Sequence, residues 1–173
     1  HMAELHIEIP RIELGHLELV LIGDSPLISH RWSDKAKEMM LAKQMKKAKG
    51  GKEAKDPERD YRESLYEHPE GGYGFPCVAF KAAAVGACRF SDGIKMTEAR
   101  GAFHVVGELA KIDGEPSMRE DMVRVGMGTA DIRYRGQFEK WTVRLTVDYN
   151  RAALSAEQIV NLFNIAGFGV GIG

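Results

Sequence analysis

Cysteine is scarce in this chain of 173 residues: Cys77 and Cys88 are the only two. They provide neither the framework of a disulfide-stapled fold nor the paired ligands of a zinc site, so a reduced, cytoplasmic setting is expected. Net positive charge is also missing. The formal charge is −1, so the molecule as a whole supplies no cationic field, and any nucleic-acid surface must be a local patch. No apolar run approaches the roughly 18 residues of a membrane helix, and the start is too charged for a signal peptide. No pair of carboxylates, Ser/His/Asp arrangement or metal-ligand spacing stands out. No metal is therefore expected.

What is present is material for a core. Hydrophobic residues make up 44% of the chain, which suits a single domain spanning residues 1–173. His1-Met2 reads as a cloning scar. Leu5, Ile7, Ile9 and Ile12 alternate with acids and Arg11, and Pro10 interrupts them, as in an edge strand or extended arm. Leu17 to Ile22 reads as a strand, and Ser33-Asp34 as the cap of a helix running from about Asp34 to Lys49.

Between Lys35 and Lys55 eight lysines face only Glu38 and Glu53. Residues 46–60 are expected to form a mobile arm, either a solvated linker or a segment that gains order on a phosphate backbone. Asp56-Pro57 signals a short helix to about Tyr66. Phe75 to Phe80 reads as extended, and Phe80, Ala83, Ala84, Ala87 and Cys88 as a small-residue helix. Ser91 to Arg100 reads as a turn region and Phe103 to Ile112 as a strand.

The most informative stretch lies between Arg124 and Arg151. Six basic residues stand there against three acids, interleaved with Tyr134, Phe138, Trp141 and Tyr149. Read as two strands around Gly136, the alternation places Arg133, Arg135 and Arg144 on one face and Ile132, Tyr134, Val143, Leu145 and Val147 on the other. Cations beside flat rings are what single-stranded nucleic acid needs. An antiparallel sheet that merely shows polar residues to water produces the same pattern. Trp32 and Trp141 are read first as core aromatics.

Ser155 and Gln158 form a candidate capping box for a terminal helix with Ile159, Val160, Leu162, Phe163 and Ala166 on its apolar face. Glycine then recurs at every second position from Gly167 to Gly173. As a strand this segment would expose a bare, adhesive edge, so the expectation is that the native chain continues or that another chain covers it. The order of elements predicts an α+β fold, with a ferredoxin-like or RRM-like antiparallel sheet, helices on one face and a lysine-rich helical excursion.

The glycine-rich segment after the last helix, the ferredoxin-type sheet and the lysine-rich excursion resemble the RAMP superfamily of CRISPR-associated RNA-binding proteins, especially the backbone subunits that line guide RNA. The run Ser25-Pro26-Leu27-Ile28-Ser29-His30-Arg31, and Arg133-Tyr134-Arg135 with Trp141, are similar to segments of uncharacterised phage and prophage proteins. The first resemblance implies single-stranded RNA or DNA as partner, homo-oligomeric stacking along the strand, and no small cofactor. The second implies a phage origin, with the host cytoplasm or the virion as location.

The expectation is a non-enzymatic single-strand-binding protein contacting phosphates through Arg133, Arg135 and Arg144, and through Lys43, Lys46, Lys47 and Lys49. Alternatives are a structural or assembly protein of a phage particle, and a metal-independent ribonuclease with His30 as general base, since some RAMP nucleases place such a histidine after their first strand. In that case Arg31 or Lys35 would neutralise the phosphate.

Overall fold

The structure is a computed structural model that describes residues 4–45, 55–124 and 126–172. Helices and antiparallel strands are mixed in an α+β chain. The residues cluster into two compact units. One comprises residues up to Leu19 with Phe80–Val106 and Thr146–Gly171; the other comprises Val20–Ala79 and Gly107–Leu145, with Ile172. Two strands, β1 (Leu14–Ile22) and β9 (Thr142–Asn150), contribute residues to both.

In the first unit, β9 residues 146–150 lie between β1 and β5 (Phe103–Val105). Val147 and Tyr149 point into the core while Thr146 is exposed, the period of two expected of a half-buried strand. Gly15 is enclosed because the Tyr149 ring lies where a side chain would stand. Helix α3 (Cys77–Gly86, from Phe80 in this unit) leads into a 3-10 turn over Ala87–Phe90, and α4 (Met96–Ala102) follows.

The last helix, α5 (Ala156–Gly169), starts at the expected capping box. Ser155 Oγ accepts from Gln158 N at 3.1 Å and Gln158 Oε1 accepts from Ser155 N at 2.9 Å. Ile159, Leu162, Phe163 and Ala166 are buried, and Phe163 meets Phe103 edge-on with 6.2 Å between ring centroids.

The second unit holds two sheets. In one, residues 20–22 and 142–145 of β1 and β9 are followed in order by β6 (Leu109–Asp113), β4 (Tyr73–Pro76) and β3 (Tyr66–Glu67). The other has the order β2 (Leu27–Ser29), β8 (Ala130–Phe138) and β7 (Pro116–Arg124). Two helices belong here. In α1 (Asp34–Gln44) Ser33 Oγ caps Ala36 N at 3.1 Å, and in α2 (Pro57–Glu63) Asp56 Oδ1 caps Arg59 N at 3.2 Å.

Several sequence expectations are corrected. Gly136 is not a turn but the interior of β8, and the sheet that holds β8 does not contain β9. Arg144 therefore stands in a different sheet from Arg133 and Arg135. The region read as turn at Ser91–Arg100 contains α4, which buries Ala99 and Ala102. The strand expected over Phe103–Ile112 is broken after Val105, and Gly107 adopts φ +99° between the two parts. Gly167 and Gly169 close α5 and do not form a strand.

The helix expected to reach Lys49 is described to Gln44, and no α1 residue is buried. Of the expected mobile arm, residues 46–54 lie outside the described residues, whereas Asp56–Asp60 caps and opens α2. Residues 4–13 carry no regular secondary structure, and Leu5, Ile7, Ile9 and Ile12 are exposed. No described helix is long and apolar enough to cross a membrane.

Candidate functional site

The three-stranded sheet of the second unit organises the site. Its register sets Arg119 opposite Arg135 and Asp121 opposite Arg133. Directly opposed residues share a face, so these four side chains stand together on one side of β7 and β8. Arg135 Nη2 donates to Asp121 Oδ2 at 2.7 Å, and Arg119 Nε lies 2.9 Å from each oxygen of the same carboxylate. The Arg135 hydrogen bond, supported by Arg119 and opposed by burial, holds the Asp121 carboxyl below its ordinary range. Arg135 is thus committed to a neighbour and is not a free cation. Its Nε is buried and has no hydrogen-bond partner among the described residues.

Ser64, at the end of α2, ties this sheet to its surroundings. Its carbonyl accepts from Ser29 Oγ at 2.7 Å and Arg31 N at 2.9 Å, while its hydroxyl accepts from Gly136 N at 2.8 Å and donates to Tyr61 O at 2.6 Å. Where β2 ends, a buried serine thus satisfies the adjoining β8 backbone. Gly136 permits the approach, since a Cβ there would stand 2.3 Å from Leu65 Cδ2.

Between this sheet, α1 and α2 lies an open cleft of about 550 Å³. Residues 30–32 reach it directly from β2, bringing His30, Arg31 and Trp32 together with Tyr134 and Arg133 of β8. Trp32 is 48% exposed and Tyr134 half-buried. Lys55 also lines the cleft, but its Nζ lies 2.5 Å from Asp131 Oδ1 and donates to Ile132 O. Among the described residues no ion pair engages Arg31 or Arg133. The acids of the cleft are Asp60 and Glu63 of α2, together with Asp131.

Burial lowers the pKa of His30, assisted by Arg135 and then Arg133, so its imidazole is neutral at pH 7. No carboxylate orients the ring among the described residues. A base can accept a proton there, but the partner that usually fixes the tautomer of a catalytic histidine is missing.

The residues singled out in the sequence are therefore scattered. Arg133 and His30 meet in the cleft, Arg135 lines it while held by Asp121, and Arg144 is exposed on β9. Lys43 is exposed in the last turn of α1 and lines no part of the cleft. Lys46, Lys47 and Lys49 lie outside the described residues. Trp141, half-buried, donates from Nε1 to Ser25 O at 2.8 Å. Trp32, read as core, is instead a surface aromatic. Sequence reasoning missed the roles of Trp32, Ser64 and Asp121. The first had a usable signal in its place beside Arg31 and His30, whereas Ser64 had none. Among the described residues no cluster of His, Cys, Asp or Glu is suited to a metal ion.

No family model matches this chain, and no curated protein matches it either.

Proposed function

We propose that the chain is a non-enzymatic binding protein for single-stranded nucleic acid, with its contact centred on the cleft of the second unit. One observation carries this reading: Arg31 and Arg133, neither engaged by a carboxylate among the described residues, flank a surface to which Trp32 and Tyr134 contribute rings. Guanidinium groups neutralise phosphates, and rings stack on unpaired bases without regard to sequence. Asp60 and Glu63 suit exocyclic amino groups, the hydrogen-bond donors of bases. Arg135 supports the site through Asp121, and Lys43 with Arg144 adds general attraction. The same proposal includes RAMP-like self-association along the strand, a ferredoxin-type sheet and a phage or prophage origin.

Electrostatic contact predicts that log affinity falls with log salt, with a slope near ~0.7 per neutralised phosphate for single strands. Titrating a fluorescein-labelled 20-nucleotide strand across salt tests the reading. Wild type binds at low salt, and Arg133→Ala weakens binding and flattens the slope by about one phosphate equivalent. Absence of binding by wild type at low salt rejects the proposal.

A second reading, an assembly protein of a phage particle, is favoured by the exposed alternation of Leu5, Ile7 and Ile9. An extended segment of that pattern can add to a partner's sheet. Sizing the full chain with and without nuclease separates the two: assembly that survives nuclease is held by protein contacts.

A further inference from the structure

A second concave surface adjoins the first in the same unit. It measures about 680 Å³ and is lined by Arg31 and Trp32 again, together with Lys37 of α1 and Tyr66 of β3. Tyr66 is held edge-on by Phe75, with 6.0 Å between ring centroids and 70° between planes. Lys37 is exposed and engages no carboxylate among the described residues. The two clefts thus share one cation and one indole. Each also has a tyrosine and a cation of its own, Tyr134 with Arg133 on one side and Tyr66 with Lys37 on the other.

This duplication is what a polymer with a repeating unit would use. Each repeat of a single strand presents one base and one phosphate, so a surface that tracks it needs rings and cations in alternation. A compact ligand would be served by one cleft. Glu67 and Glu108 also line the second cleft, and they disfavour a continuous run of phosphates against its wall. They leave Arg31, shared at the junction, and Lys37 as its phosphate contacts.

We infer that the two clefts are consecutive nucleotide subsites of one strand path, with the Trp32 indole standing between successive bases and Arg31 on the phosphate that joins them. This rests on the binding function proposed above and adds the route and the minimum ligand length. Mononucleotide fills one cleft and gains only one ring pair and one phosphate. A strand of two or more nucleotides reaches both, so affinity rises steeply at the second nucleotide and more gradually beyond it.

Fluorescence polarisation with oligouridylates and oligothymidylates of one to eight nucleotides, on the full chain, tests the path. Trp32→Ala is expected to weaken binding of every strand of two or more nucleotides roughly tenfold or more, and Trp32→Phe to restore much of it. Tyr66→Ala weakens strands of two or more nucleotides but leaves the mononucleotide unchanged, because only the second cleft is lost. Lys37→Glu, at an exposed helix position where folding is not at stake, has the same length dependence and reduces the salt slope by about one phosphate equivalent.

The path is overturned if wild type binds the eight-nucleotide strands while Lys37→Glu and Tyr66→Ala, both folded by circular dichroism, bind them as wild type does. In that case the proposed function stands with a single cleft. If wild type binds none of the strands at low salt, both proposals fall together.

Discussion

Arg135 and Asp121 are joined across β8 and β7 by a 2.7 Å hydrogen bond between Nη2 and Oδ2, at positions two residues out of register. This diagonal contact leaves Arg133, directly opposite Asp121, outside the ion pair. The sheet therefore holds Arg135 and Arg119 in structural contacts and leaves Arg133 available. Asp121, with Arg119 on its other flank, is the residue that makes the division.

The same pair gives the protein a defined acid sensitivity. Since the Arg135 hydrogen bond above all holds the Asp121 carboxyl below its usual range, the folded state binds fewer protons than the unfolded one at acidic pH. Its contribution is complete above the unfolded carboxylate value of about 4 and is lost as pH falls through the lower folded value. Asp121→Asn is expected to cost about 1–2 kcal/mol at pH 7, a charged hydrogen bond discounted for partial exposure. Urea unfolding at several pH values checks this: the gap between wild type and variant narrows toward pH 3, and a constant gap refutes it.

Ser64→Ala removes an acceptor from the Gly136 N–H and a donor from the Tyr61 carbonyl. Because the serine is buried, water cannot replace both, and a loss of roughly 1–3 kcal/mol is expected. Gly136→Ala adds a methyl group against Leu65 and costs about 1–3 kcal/mol by overpacking. In a double-mutant cycle Leu65→Ala relieves that strain, so the two substitutions together cost less than their sum. Strict additivity in denaturant midpoints would refute the contact.

Removing one half of the α5 capping box is a test of local structure alone. Ser155→Ala leaves the Gln158 N–H without its side-chain acceptor and is expected to cost about 1 kcal/mol, with Ser155→Asn close to wild type. Thermal unfolding of the three proteins decides it, and equal midpoints would show that the box contributes nothing.

What could be read beforehand depended on the range of the interactions involved. Ser155 with Gln158, and Asp56 with Pro57, specify helix starts within four residues, and both helices start there. Val143, Leu145, Val147 and Tyr149 announce a half-buried strand by their period alone. By contrast, α4 is held by burying Ala99 and Ala102, side chains too small to mark a periodic face. Gly167 and Gly169 looked like a strand because their spacing is two. The apolar face of α5 carries the helix past them in spite of the roughly 1 kcal/mol that each glycine costs.

The site was harder still. Placing Arg133 and Arg144 on one surface assumed that successive strands pair. Instead of β9, β8 takes β7 on one side and β2 on the other; β2 lies about a hundred positions earlier in the chain, and nothing in the local pattern around Gly136 specifies it. The same long-range pairing brings Trp32 to Tyr134, so the cleft follows from topology and could not be seen in any one segment. Arg133 and His30 were visible as residue types; their meeting was not.

His30 provides the last prediction. Its pKa lies below the ordinary value of 6.5, first through burial and then through Arg135 and Arg133. The unfolded chain therefore binds the proton more readily. Stability is full above about pH 6.5 and declines as pH falls below it, and His30→Ala removes that part of the decline. A bound strand acts in the opposite sense, because phosphate oxygens favour the imidazolium. Affinity should rise several-fold as pH falls from 7 toward 5, while the protein alone grows less stable. In His30→Ala the affinity should be flat across this range; an unchanged pH slope would show that the proton binds elsewhere. The same samples test hydrolysis, since a binding protein leaves labelled RNA equally intact with wild type and variant. Cleavage by wild type that His30→Ala abolishes would make the histidine a general base and the protein a ribonuclease.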